Sequence, residues 1–424
     1  MSGPGHVTAS PGIVIAGGGM AAGNAAAGLR EGGYDGPLTI LGAEPDVPFG
    51  RPPLSKGYLR GEEDLSGWLV RPAGWYADNR VALRTDAAVA SVDPDARALR
   101  TRAGERIAYD RLLIATGGRN RALAVPGRDL DGVLQLRTRA DCERIRALAR
   151  PGERVVVAGM GFIGCEVAAS LTQLGVEVTA VFPGPAPLVR VLGPEVGAVL
   201  GRLHREKGVE LIAGEGLAAV EGAGRVEAVR TTSGRRIECS AAILAAGIQP
   251  NVEFLAGSGI ALDNGVLVDE LCRTSAPGVF ACGDVANMAH PLFGRVRVEH
   301  YNNAEKHGRA AARSLLGRGE PYDYTFSFWS DQYEHSLEYV GFAERWDELV
   351  VRGSLEDARF LAFSLREGRL RAVAGLNRGG DPELEADSEL AACAALIASG
   401  DRVRAELLAD EATDLRQLAP PRPL

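Results

Sequence analysis

The sequence predicts an α/β fold with more than one domain, and three observations predict it. Two strand–turn–helix–strand units, each turning on glycines, lie about 140 residues apart. The composition changes near Tyr322, where aromatic residues cluster and alternating segments begin. At 424 residues the chain is long enough for two or three cores.

The elements follow in order. Ile13, Val14, Ile15 and Ala16 form an apolar run that ends in glycines, which reads as a buried strand entering a tight turn. An alanine-rich helix is predicted over about 21–30 and a second apolar strand over 37–41. The order then returns: a strand over 154–158, a glycine turn over 159–164, a helix over 162–174 and a strand over 176–182. Between the two units, residues 112–115 read as another buried strand before Thr116-Gly117-Gly118, and short apolar strands are expected over 241–246 and 279–281. Beyond Tyr322, Tyr324, Phe326, Phe328 and Trp329 lead into alternating segments at 336–340 and 359–365, which predict antiparallel strands. A helix over 383–399 precedes a proline-rich tail. These elements imply a first nucleotide domain over 1–118 that resumes over 248–322, a second one inserted over 119–247, and a C-terminal α+β domain over 323–424.

Hydrophobic residues make up 46% and charged residues 24%, an ordinary globular composition. The formal charge of -8 argues against nucleic acid as a partner, since phosphate recognition needs a basic field. The six cysteines, Cys142, Cys165, Cys239, Cys272, Cys282 and Cys393, form no CxxC or other close pair in sequence, so neither a dithiol redox motif nor a thiolate metal site is expected. The six histidines lack metal-ligand spacing. The run from Met1 to Pro11 lacks the apolar centre of a signal peptide, and no apolar run reaches the length of a membrane span. A cytoplasmic location without a membrane partner is expected.

The glycine turns carry the chemistry. Gly17-Gly18-Gly19-Met20-Ala21-Ala22 fits GxGxxA: the first glycine turns the chain, the second lets a pyrophosphate approach the backbone, and the small last residue lets helix and strand pack closely. The helix then presents free N–H groups to phosphate. Glu44, after the second strand, is placed to hold ribose hydroxyls. Gly159-Met160-Gly161-Phe162-Ile163-Gly164 fits GxGxxG, but its second strand runs into Phe182-Pro183-Gly184 where an acid is expected, and Arg190 stands only some residues further on. NAD against NADP is therefore open. Two Rossmann-like dinucleotide-binding domains in one chain point to a flavin and a nicotinamide cofactor brought face to face.

Further motifs occur in a fixed order: Arg51-Pro52-Pro53-Leu54-Ser55-Lys56, Ala115-Thr116-Gly117, Gly283-Asp284, Glu299-His300-Tyr301-Asn302-Asn303 and Phe328-Trp329-Ser330-Asp331-Gln332. With the two turns, they resemble the FAD-dependent ferredoxin reductases that serve haem monooxygenases and ring-hydroxylating dioxygenases. These are putidaredoxin- and rubredoxin-reductase-like proteins, related to apoptosis-inducing factor within the glutathione-reductase-like group. The resemblance runs from residue 12 to about residue 377.

It implies an FAD site of Gly17, Gly19, Met20, Ala21, Ala22, Glu44, Arg51, Lys56, Ala115, Thr116, Gly117, Gly283, Asp284, Glu299, His300, Tyr301 and Trp329. It implies a nicotinamide site, for NADH or NADPH with NADH favoured, of Gly159, Gly161, Phe162, Ile163, Gly164 and Glu166. Asp284 would hold the ribityl chain, or cap a helix starting near Val285. Arg51 would meet FAD phosphate, or form a surface salt bridge. Lys56 would stabilise negative charge on the reduced ring, paired with Glu166 beside the nicotinamide; the plainer role of Glu166 is to complement the helix dipole. His300 and Tyr301 depart from the family's commoner residues there.

The resemblance implies hydride transfer from NAD(P)H to FAD and then single-electron transfer to a ferredoxin-like protein, by a monomer or homodimer. The missing dithiol speaks against disulfide reduction. Lys306, Arg309 and Arg313 share one face of a helix over about 303–316 and offer a docking patch, or an ordinary solvated face. Reduction of a quinone, ascorbyl radical or oxygen, and an NADH-binding redox sensor like apoptosis-inducing factor, are the alternatives.

Overall fold

The structure, a computed structural model, describes residues 11–418, so the polar N-terminal run and the proline-rich tail lie outside the described residues. Internal contacts divide the chain into two units. One comprises the chain up to Gly50, Leu65–Arg119 and Ile248–Tyr324; the other comprises Arg51–Asp64, Asn120–Gly247 and the chain from Thr325 onward.

In the first unit, the run Ile13–Ala16 is the middle strand of a five-stranded sheet in the order Val279–Ala281, Arg111–Ile114, Ile13–Ala16, Leu38–Leu41, Val81–Arg84. All four pairings are parallel. The central strands are buried on both faces, which is why they read as unbroken apolar runs. The helix Met20–Glu31 packs on the helix Tyr301–Leu315 through small residues. A Cβ on Gly308 would stand 2.4 Å from the Ala21 carbonyl oxygen, so the alanine and glycine content of both helices permits their close approach.

The second unit repeats this plan. Its parallel sheet runs Glu210–Ala213, Glu177–Phe182, Arg154–Ala158, Ala241–Leu244, Val133–Leu134, again with the first strand of the βαβ unit in the middle. Each unit also inserts a three-stranded antiparallel sheet, before the last-but-one strand of the first parallel sheet, after Val81–Arg84, and before the last strand of the second, after Glu210–Ala213. These insertions are Val89–Asp93, Ala98–Thr101 and Arg106–Ala108 in one unit, and Leu217–Glu221, Ala228–Thr231 and Arg236–Glu238 in the other. The α/β class, the two dinucleotide-type sheets and the C-terminal α+β region are all as expected from sequence. That region is a five-stranded antiparallel sheet in the order Ser327–Gln332, His335–Gly341, Arg369–Leu376, Arg359–Arg366, Glu348–Ser354, with the helix Glu389–Ser399 against it.

Two expected helices differ. No helix starts near Val285: Gly283–Val285 is one 3-10 turn, and the chain continues as the strand Ala286–His290. Gly283, at φ 72°, turns the backbone, and residues 286–290 find strand partners in Val266–Val268 and Gly294–Val296. Asp284 therefore caps no α-helix. The helix expected over 383–399 starts only at Glu389, because the Ser388 side chain accepts from the Ala391 N–H at 3.1 Å and sets the N-terminus there.

Candidate functional site

In the first unit, Gly17 sits at φ 127°, and a Cβ there would stand 2.1 Å from the Ala115 carbonyl oxygen. Only glycine fits this crossing of the first turn under Ala115-Thr116-Gly117. Two residues on, a Cβ on Gly19 would meet nothing within 4 Å. Gly19 is also the N-cap of the helix Met20–Glu31 and provides no side-chain cap. The helix thus presents uncapped N–H groups to open space, an arrangement that accepts a phosphate. Ala21 and Ala22 are buried under this end, and Met20 is half-buried.

Glu44 is half-buried beyond the strand Leu38–Leu41, and its carbonyl accepts from the Asp86 N–H at 3.2 Å. A cleft lined by Ala43, Arg84, Asp86 and Thr101 opens there. The Thr116 hydroxyl donates to the Asn251 carbonyl (2.8 Å), and the Asn251 side chain donates back to the Thr116 carbonyl (2.9 Å), so Asn251 locks the turn. The Gly283 N–H donates to Nδ1 of His307 (3.2 Å), and burial lowers that imidazole to about 3, keeping it a neutral acceptor. Asp284 is half-buried beside it. His300 is the N-cap of the helix Tyr301–Leu315 and makes no side-chain cap hydrogen bond. Glu299 pairs with Arg297 at 2.7 Å, and Tyr301 meets Trp68 edge-on at 6.1 Å. These residues fit a dinucleotide: a cradle without side chains, an uncapped helix N-terminus at Gly19, and a carboxylate beyond the second strand.

In the second unit the same turn recurs. Gly159 sits at φ 110°, its Cβ position 2.3 Å from the Ala245 carbonyl oxygen. Gly161 faces open space and leaves the helix Phe162–Gln173 uncapped. A Cβ on Gly164 would stand 2.0 Å from the Gly159 carbonyl oxygen, so the third glycine is also required. Ile163 is 46% exposed at this open end, whereas Phe162 packs edge-on against Phe328 at 4.7 Å. One turn further along the helix, Glu166 is only 4% exposed.

The segment Arg51–Asp64 belongs to this unit. The Cys142 thiol donates to the Leu54 carbonyl (3.2 Å) and the Ser170 hydroxyl to the Ser55 carbonyl (2.6 Å), which fixes the segment on two helices. Arg51 donates to the Arg137 carbonyl. Lys56 then reaches Glu166 Oε2 at 2.8 Å. The same oxygen accepts from the Ser55 hydroxyl at 2.5 Å, and Oε1 accepts from the Ser330 hydroxyl at 2.7 Å. The resemblance implies the pairing of Lys56 with Glu166; Ser55 and Ser330 lie within the motifs that carry it without an implied role, and Asn251 carries no local signal. Trp329 is half-buried on the edge strand opposite Glu338, whose carboxyl is raised to about 7 by burial and then by Asp381.

Two expectations about side-chain charge meet the structure differently. Lys306, Arg309 and Arg313 do lie on one helix, but Arg309 pairs with Glu31 at 2.9 Å and Lys306 lies 5.3 Å over the Tyr324 ring. Arg313 is exposed, and Lys306 and Arg309 are half-buried. All six cysteines are free and buried. Cys272 and Cys282 are near enough to influence each other, and burial raises both thiols strongly, which leaves no reactive thiolate.

The model of the pyridine nucleotide-disulphide oxidoreductase family matches residues 11–308. This chain belongs to that family. A second model, the reductase C-terminal domain, matches residues 327–419. The chain is similar to the rhodocoxin reductase of Rhodococcus erythropolis, 38% identical with 87% of each chain covered. It is also similar to the benzene 1,2-dioxygenase system ferredoxin--NAD(+) reductase subunit of Pseudomonas putida, 33% identical over 96% of this chain and 97% of the relative. Among solved structures, the covalent putidaredoxin reductase–putidaredoxin complex matches with a TM-score of 0.91 and 33% identity, covering 97% of this chain and 98% of that one. The family's name speaks of a disulphide, yet no cysteine stands near Lys56 and Glu166 except buried, raised Cys142 and Cys165.

Proposed function

We propose that this chain is an NADH-dependent ferredoxin reductase: it takes hydride from NADH onto FAD and passes the electrons singly to a ferredoxin-type iron–sulfur protein of an oxygenase system. One observation carries the reading. Each unit opens a helix on glycines with uncapped N–H groups facing open space, while every cysteine is buried and unbonded. Two dinucleotides in one chain require electron exchange between them, and without a dithiol the electrons leave to an external acceptor. The names of the relatives, a ferredoxin--NAD(+) reductase subunit and a reductase–putidaredoxin complex, support a ferredoxin as acceptor and NADH as donor.

FAD, when bound, supplies a two-electron acceptor for hydride that releases electrons one at a time. The rest falls to the chain. Gly17, Gly19, Met20, Ala21 and Ala22 receive its pyrophosphate, Glu44 holds its ribose, and Ala115, Thr116, Gly117, Gly283 and Asp284 line its length. The positive end of the helix dipole at Glu299, His300 and Tyr301 favours negative charge at the flavin's pyrimidine edge. Arg51 and Trp329 belong to the same cofactor's surroundings. Gly159, Gly161, Phe162, Ile163 and Gly164 bind NADH. Lys56 offsets charge that develops during hydride transfer, and Glu166 holds Lys56 in place. In domain terms, FAD is assigned to 1–118 and 248–322, NADH to 119–247, and the remainder to 323–424. We also assign the chain to the cytoplasm; no helix among the described residues is long and apolar enough to cross a membrane.

The test is anaerobic rapid mixing of the yellow holoprotein with NADH and, separately, NADPH, then with a ferredoxin and cytochrome c as reporter. Bleaching by NADH followed by ferredoxin-dependent cytochrome reduction is expected. No bleaching by either nucleotide would refute the oxidoreductase reading. Bleaching with fast quinone turnover but no ferredoxin turnover would replace the acceptor.

A further inference from the structure

The second unit contains a continuous series of buried hydrogen bonds that ends on Glu166. It starts, read from the carboxylate outward, with the Ser330 hydroxyl donating to Glu166 Oε1 at 2.7 Å. An ionised carboxylate only accepts, so the Ser330 proton is committed to it. Ser330 Oγ in turn accepts from Gln332 Nε2 at 3.2 Å, which leaves Gln332 Oε1 facing His204 Nε2 at 3.1 Å. An amide oxygen only accepts, so His204 carries its proton on Nε2. Burial lowers the His204 imidazole to about 4, keeping the ring neutral, and its Nδ1 then accepts from the Tyr333 hydroxyl at 2.9 Å. Every donor in the series points toward Glu166.

The members are held as a set. Ser330 and His204 are 0% exposed, Glu166 4% and Gln332 5%, so water does not compete for the bonds. Glu166 comes from the helix Phe162–Gln173, His204 from the helix Val189–Glu206, and the rest from the hairpin of Ser327–Gln332 and His335–Gly341. At the hairpin tip, Tyr333 sits at φ 59°, a left-handed conformation that a tyrosine keeps only when its surroundings impose it. The surroundings are the His204 ring, edge-on at 5.4 Å, and Lys207, whose Nζ lies 5.6 Å over the Tyr333 ring while pairing with Glu334 at 2.7 Å.

We infer that His204, acting through Gln332 and Ser330, is a positioning residue that holds the Glu166 carboxylate aimed at Lys56, and so sets the rate of hydride transfer. This rests on the reading of Lys56 and Glu166 given above. Hydrogen bonds in a dry series polarise one another, so removing the far member weakens the last donor onto the carboxylate.

The experiment compares FAD-bound His204→Leu and His204→Gln with the unaltered protein by rapid mixing with saturating NADH. Leucine removes the donor, whereas glutamine returns an N–H at the place of Nε2. His204→Leu is expected to slow flavin reduction on the order of tenfold with NADH affinity unchanged, and His204→Gln to restore it to within about twofold. A normal rate in His204→Leu would overturn the inference, as would equal slowing in both variants, which would make the imidazole a packing group. If His204→Leu fails to fold or to keep FAD, Gln332→Met breaks the series one link nearer Glu166. It must slow reduction likewise, and a normal rate there overturns the inference. Glu166→Gln separates this inference from the reading beneath it. An unaltered rate in Glu166→Gln removes the role of the Lys56–Glu166 pair itself, whereas slow Glu166→Gln beside normal His204→Leu overturns the relay alone.

Discussion

Replacing Glu166 by leucine tests whether the Lys56 site is a coupled unit. Glu166 is 4% exposed and its carboxylate holds Lys56 at 2.8 Å and two hydroxyls at 2.5 and 2.7 Å. Removing it leaves a largely buried ammonium without its carboxylate; breaking a buried pair in this way costs about 3–5 kcal/mol. The Lys56 side chain is 13% exposed, so some solvent reaches it and about 3 kcal/mol is the better figure. Lys56→Met leaves the carboxylate with two hydroxyl donors, at a cost of about 2 kcal/mol. The double variant removes both charges and leaves the Ser330 hydroxyl short of an acceptor, while the Ser55 hydroxyl still reaches the Pro52 carbonyl at 3.3 Å, a cost of about 1–2 kcal/mol. The single costs therefore exceed the double cost by on the order of 3 kcal/mol, a large coupling for neighbours. A chain of several domains need not unfold in one step, so the readout is hydrogen exchange at the backbone amides of the helix Phe162–Gln173. Strictly additive losses would refute the pairing.

Gly161→Ala places its methyl in open space and should leave stability within about 0.5 kcal/mol while raising KM for NADH about tenfold, because that space is for the dinucleotide. Gly159→Ala, at φ 110° and 2.3 Å from a carbonyl oxygen, should instead destabilise by at least about 1–3 kcal/mol; thermal scans and initial-rate kinetics separate the two, and equal behaviour would contradict the geometry. Glu338 keeps its proton in the fold up to about 7 against an ordinary 4.5, so its contribution is full below 4.5 and is lost as pH rises through 7. Glu338→Gln should therefore raise the thermal midpoint at pH 8 by the equivalent of about 1–2 kcal/mol, discounted because the side chain is partly exposed, and leave it unchanged near pH 4.5; an equal gain at both would refute the assignment.

What the sequence revealed depended on distance along the chain. The glycine turns were legible because strand, turn and helix lie within a few residues, and Gly17 and Gly159 adopt the same left-handed turn in both units. Ser330 was legible as part of a motif but not as a donor to Glu166, because 164 residues separate them and no periodicity reports a hydroxyl meeting a carboxylate. The basic helix face shows the same limit: the pattern places Arg309 correctly, but its partner Glu31 lies 278 residues away. The helix expected at Val285 was lost to sheet partners on both sides of the segment 286–290, a tertiary choice that overrides local cues.

The family's namesake chemistry gives the sharpest check on where the electrons go. A member that reduces disulfides needs a thiolate beside the flavin, and a thiolate needs exposure or a neighbouring cation to lower its pKa. Here the trend runs the other way. Burial raises Cys165, Cys282 and Cys393 above the range where thiolates form, raises Cys142 to about 12, and raises Cys239 to about 11. Cys272 and Cys282 form the one cysteine pair close enough to interact, and Cys282 adds to burial in raising the Cys272 thiol rather than lowering it. Neither serves as a second electron store. An anaerobic titration of the holoprotein with NADH should therefore end at about one equivalent per FAD, the flavin's own two-electron capacity. Uptake of a second equivalent, with thiols appearing to an alkylating reagent in proportion, would place a redox-active disulfide in the chain and return it to the disulfide-reducing branch of its family.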